Sequence, residues 1–284
     1  MAAQLTPGGW GLDPLRQDVP VDDSSLPPLT DEPLPDPVRG EVERLLAEDQ
    51  TRMGGVYRLG REGQSPAAIA QALGVATTGF VSNYKSVIAA LLDGEVPRSP
   101  TLSAQAASRV RAWLKKSELS AELRGRLNEL HVTLQVHSED STARSVEDSQ
   151  AKQRTAEAEQ SRTPGIYVYT LPHYLRYPYE PESGRTLLKV GRSERDTYER
   201  AYTQGRITAL PEDPILLRVY PVTAGDTATV EAEFHAWLTD ADHERSRSLR
   251  GGSEWFLTST KFLDRIARSR DLDIRAVTEF EAGE

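Results

Sequence analysis

The chain has 284 residues, 38% hydrophobic and 27% charged, with a formal net charge of -9 and no cysteine. That length accommodates two modest cores, and the missing cysteine excludes disulfides, thiolate-bound zinc and a thiol nucleophile. No apolar run reaches the roughly 20 residues that span a bilayer. The N-terminus, MAAQLTPGGWGLDP, lacks a basic stretch ahead of an apolar core, so a cytoplasmic protein without a membrane partner is expected.

Residues 1–37 are rich in Pro, Asp and Ser and read as a disordered tail, because repeated proline removes backbone donors and blocks helix. Residues 38–137 read as an all-helical domain. Pro37 can open a helix carrying Val42, Leu45 and Leu46, and Ser65-Pro66 is an N-cap followed by proline at the first helical position. AIAQALG, a break at Gly74 and a helix from about Thr78 to Leu92 resemble a helix-turn-helix. By that resemblance Thr78, Asn83 and Lys85 would meet DNA in the major groove. A protein-interaction or dimerisation bundle is the rival reading. Two further helices are expected over about 103–116 and 119–136.

Residues 138–163 are polar throughout and read as a linker between two domains, with room for helix in part of it. The period then changes. GIYVYTL, RTLLKVG and ILLRVYPV read as strands, interleaved with helices near 198–207, 226–238 and 259–269, and with SEWFL before the last. The pattern over 164–284 predicts an α+β domain.

The charge distribution keeps nucleic acid in play despite the acidic total. Residues 1–40 hold 2 basic and 7 acidic side chains and 138–160 hold 3 and 6, whereas the two regions read as folded hold 29 and 30. Local basic patches can still grip phosphates.

Five pieces in order within 164 to about 270 resemble the GIY-YIG nuclease superfamily. They are Gly165-Ile166-Tyr167, Lys189-Val190-Gly191, Arg200 nine residues later, Glu231 four before His235, and Ser253-Glu254-Trp255-Phe256. Lys in the second motif together with EWF resembles the phage and bacterial branch. The resemblance implies a small three-stranded antiparallel sheet flanked by helices. It also implies DNA phosphodiester hydrolysis with Mg2+ or Mn2+, in a setting such as phage defence or restriction. Glu231 would hold the metal, since a hard cation that keeps its waters can use one carboxylate. Tyr167 would contact the attacking water, Arg200 the scissile phosphate, and His235 water or phosphate. Lys189 stands where the usual second tyrosine falls, and no Asn follows Asn128. Glu233 lies about 200° around the helix from Glu231, so only one of the two can face the sheet. Glu254 is expected to cap or brace the following helix. Arg192 and the loop arginines Arg245, Arg247 and Arg250 are candidate DNA contacts. One such domain holds one active site, so a double-strand cut needs a second copy or two sequential nicks. The alternative is a non-catalytic DNA-binding regulator built on the same fold.

Overall fold

The computed structural model describes residues 36–75, 77–116, 118–180, 184–194, 212–223, 225–243 and 254–279. Most of the N-terminal tail and the helix expected at 198–207 lie outside them. Asp36–Glu284 forms one compact unit, with separate apolar cores in its helical and sheet parts.

The helical part comprises α1 (Pro37–Glu48), α2 (Arg52–Arg61), α3 (Pro66–Ala72), α4 (Gly79–Asp93), α5 (Pro100–Leu114) and α6 (Ala121–Ser138). Local chemistry sets most of their starts. Asp36, Ser65, Ser99 and Ser120 each accept a backbone N–H of the first turn, and proline follows directly in α1, α3 and α5. Gly94 ends α4 at φ 73°, a left-handed position that suits glycine. Val42, Leu46, Met53, Ile69, Phe80, Leu91, Val110, Leu123 and Leu127 meet in this core. Each contributes about 1.5–3 kcal/mol relative to exposure. Among the described residues no helix is long and apolar enough to cross a membrane.

Within the stretch read as a linker lies a 20-residue helix, α7 (Ser141–Gln160), capped by Asp140. It docks on the sheet through a short polar stripe, Ala151, Thr155 and Glu159. The Thr155 hydroxyl donates to Ala151 O and accepts the Leu216 N–H at 2.9 Å. Glu159 accepts from the Tyr169 hydroxyl at 2.9 Å. Burial raises the carboxyl pKa of Glu159, and the Tyr169 hydrogen bond partly offsets this. Thr155→Val keeps the side chain's shape but leaves the buried Leu216 N–H without its acceptor. It should lower unfolding free energy by about 1–3 kcal/mol, read by urea titration; an unchanged midpoint would show that the bond contributes nothing.

The sheet has five strands, not three. They are β1 (Gly165–Thr170), β2 (Thr186–Ser193), β3 (Ile215–Pro221), β4 (Trp255–Thr258) and β5 (Arg275–Ala276), in the order β4-β2-β1-β3-β5 with every pair antiparallel. The β1–β2 connection contains the short helix α8 (Pro172–Arg176). After β3 comes α9 (Thr227–Asp240), and α10 (Thr260–Ser269) follows β4. Ile166, Val168, Leu188, Val190 and Tyr220 pack with Val230, Phe234 and Leu238 of α9 and Leu263 and Ile266 of α10. Tyr167, Tyr169, Leu216 and Val219 form a smaller cluster against Ala158 of α7. Gly165 is required where β1 meets β3: a Cβ there would lie 2.3 Å from Tyr220 O.

Candidate active site

The site forms where β4 stops covering β2. Pairing between them runs from Thr186–Thr258 to Lys189–Trp255. Beyond Lys189 the outer edge of β2 has no strand partner among the described residues, while its inner edge pairs with β1. Unpaired strand groups need other partners, and side chains and loop backbone supply them. The Val190 N–H donates to the Glu254 carbonyl at 2.9 Å. The Val190 carbonyl lies 3.0 Å from His235 Nε2; since a carbonyl only accepts, Nε2 carries the proton. The Arg192 N–H donates to the Glu231 carboxylate. Glu231 and His235 lie one turn apart on α9 and so reach the same edge. Phe256 holds the His235 ring at 4.9 Å.

Two carboxylates converge on this edge. A Cβ placed on Gly191 would lie 3.5 Å from Glu254 Oε2 and 3.9 Å from Glu231 Oε1, so the absent side chain leaves the space between them open. Each carboxylate has a cation beside it: Lys189 Nζ is 3.2 Å from Glu254 Oε2, and Arg192 Nε is 3.5 Å from Glu231 Oε2. Burial raises the pKa of Glu231 above its ordinary value. His235 opposes that shift, the like charge of Glu254 adds to it, and Arg192 pulls it back. Glu233 points elsewhere and pairs with Arg270 at 3.0 Å.

The structure thus brings Lys189, Arg192, Glu231 and His235 together. It adds Glu254, which pairs with Lys189 and β2 rather than capping α10; Ser259 does that. Tyr167 sits opposite Gly191 on β1 and shares its face. It is 2% exposed, its ring stacks on Tyr169 at 6.3 Å, and its hydroxyl donates to the Thr163 carbonyl. Arg200, Arg245, Arg247 and Arg250 lie outside the described residues.

The helix-turn-helix candidates lie on α4. Thr78, just ahead of it, and Lys85 are exposed, and Asn83 is half-buried. The start of this helix is not open: a Cβ on Gly79 would lie 2.5 Å from Glu279 Cγ. The C-terminal segment therefore packs against the end expected to enter a groove.

Among the described residues no three Asp, Glu or His side chains are gathered as a metal-ligand set. The donors present still suit a hard cation that keeps its waters. They are carboxylate oxygens, and Glu231 carries the raised pKa of a carboxylate that a divalent ion would relieve. Compared with models of known families, with characterised proteins and with solved structures, the chain finds no match.

Proposed function

We propose that this chain is a metal-dependent DNA endonuclease of the GIY-YIG kind, directed to DNA by its helical part. One observation carries the reading. Glu231 and Glu254 converge over Gly191 at the open edge of β2, flanked by Lys189 and Arg192 and one strand from Tyr167.

Phosphodiester hydrolysis needs an activated water, charge neutralisation at phosphorus and help for the leaving oxygen. Glu231 would hold Mg2+ or Mn2+ with Glu254 beside it. When bound, the ion supplies charge neutralisation and a more acidic water. Arg192, now beside Glu231, would grip a phosphate oxygen, since guanidinium matches phosphate bidentately. Lys189 would add a second positive charge, and His235 would hold Glu231's end of the helix through its bond to Val190. The test is nicking of supercoiled plasmid with Mg2+, Mn2+ and Co2+. Failure to cut any DNA or RNA form with these ions would sink the reading.

A second reading, a DNA-binding regulator without catalysis, is favoured by the resting hydrogen bonds of Tyr167 and His235 to backbone carbonyls. Retention of DNA without cleavage distinguishes it. The helical part carries its own prediction. Asn83→Ala with Lys85→Ala in the full chain should weaken DNA binding severalfold and reduce the salt slope by about one for a lost lysine–phosphate contact. Gel shifts at several salt concentrations check this. Unchanged affinity would assign α3 and α4 to protein contacts instead.

A further inference from the structure

We propose, on the reading that α3 and α4 bind DNA, that Glu279 is an autoinhibitory latch: it holds the start of α4 closed, and DNA enters only as it leaves. Glu279 follows β5 in the sheet part yet lies against α4 of the helical part. A Cβ on Gly79 would lie 2.5 Å from Glu279 Cγ and 2.9 Å from its Oε1, so the missing side chain at Gly79 makes the seat in which the carboxylate lies. The place suits an anion. The first turn of a helix presents N–H groups without intrahelical acceptors and a partial positive charge, and Thr78, the N-cap of α4, makes no side-chain cap. A DNA phosphate would meet the same attractions, but the glutamate holds the seat and its charge repels the newcomer.

The hold is built to be released. Glu279 reaches Arg218 only at 3.7 Å, and Arg218 keeps Asp264 and the Leu217 and Thr278 carbonyls when Glu279 departs. The segment ahead of Glu279 is tied to the sheet by β5, two residues long, and by the Val277 N–H donating to the Leu217 carbonyl. Buried polar atoms at this junction make no hydrogen bond: Glu279 Oε2, Thr278 Oγ1 and, two residues before Gly79, Thr77 Oγ1. Buried polar groups are almost always paired, and each unmet one weakens the closed arrangement. Opening returns them to water, which offsets part of the contact that is lost.

The affinity of the full chain for a mixed-sequence DNA duplex, read by fluorescence anisotropy at constant salt, tests the latch. Gly79→Ala leaves the net charge alone: its methyl displaces the flexible end of Glu279, and binding should tighten at least about fivefold. Glu279→Ala should tighten it as much, whereas Glu129→Ala removes the same charge from the exposed face of α6 and should bind as wild type. Gly79→Cys with Glu279→Cys puts the two Cβ atoms within roughly 4 Å, inside disulfide reach, in a chain with no cysteine of its own. Oxidised, this pair should bind more weakly than wild type, and reductant should restore at least about fivefold. Both states belong to one protein, so a folding defect in a single variant leaves the test intact. Equal affinity in wild type, Gly79→Ala and Glu279→Ala overturns the latch while leaving α4 a DNA contact. So does an equal gain from Glu129→Ala, or an oxidised pair that binds like the reduced one. Binding by none of these forms removes the DNA reading itself, and the latch with it.

Discussion

Glu231→Gln should slow nicking of supercoiled DNA on the order of 100- to 1,000-fold in Mg2+, the scale of removing one preorganised electrostatic group, without lowering the melting temperature. The two halves of this expectation come from the same cause. Burial and the neighbouring Glu254 charge raise the pKa of Glu231, so the folded protein favours its protonated form. A carboxyl raised in this way contributes stability that is present below its unfolded pKa and lost as pH rises through the folded one. At neutral pH its ionised form therefore costs stability, and glutamine, which resembles the neutral acid, removes that cost while still accepting from the Arg192 N–H. Activity runs the opposite way, because holding a cation requires the carboxylate. The nicking rate should fall as pH drops from neutral toward a value above the ordinary 4.5. Glu254→Gln should move that fall to lower pH by removing a like charge. Glu233→Gln, on the Arg270 side of α9, should nick as wild type. Glu231→Gln cutting at the wild-type rate would remove Glu231 from the mechanism.

The largest loss of stability is expected from Asp264→Ala, far from that chemistry. Asp264, 4% exposed, accepts from Arg218 Nε at 3.4 Å and from the Tyr220 hydroxyl at 2.8 Å. Arg218 is 1% exposed and has further partners in the Leu217 and Thr278 carbonyls and in Glu279 at 3.7 Å. Removing the carboxylate leaves a buried guanidinium short of countercharge, a change that costs about 3–5 kcal/mol. For a unit of this size the melting temperature should fall roughly 6–20 °C, measured by calorimetry. A fall of less than about 2 °C would mean that Glu279 and the carbonyls carry the charge unaided. Burial, with the Asp264 charge behind it, holds the Tyr220 phenol well above its usual pKa. The Tyr220 hydroxyl therefore keeps its proton and stays a donor to Asp264.

Much of the fold was legible in the sequence because its signals are local. Ser65-Pro66 and Pro37 start helices for reasons contained within four residues. The β-branched runs of β1 and β3 follow from their composition. The length of α7 and its docking on the sheet were not legible, since its buried stripe is an alanine, a threonine and a glutamate. Their partners, the Leu216 N–H and the Tyr169 hydroxyl, lie on strands elsewhere in the sequence. A hydrophobic period cannot register a helix that docks by hydrogen bonds. The two-residue β5 is too short to leave any period. In the site, the one-turn spacing of Glu231 and His235 placed both on one face of α9. The role of Glu254 was hidden, because it depends on where β4 stops pairing with β2, a long-range property of register.

That stopping point also governs how the site can be probed. A bare strand edge is a template on which another chain can add itself. Here the bonds made by Glu231, His235 and Glu254 to Val190 and Arg192 keep such an addition from starting. The residues proposed for chemistry are thus also the guards against self-association. Alanine at Glu231 would free the Arg192 N–H as well as remove the carboxylate, confusing lost catalysis with lost solubility. Glutamine keeps the edge capped, so an inactive Gln variant speaks to chemistry alone.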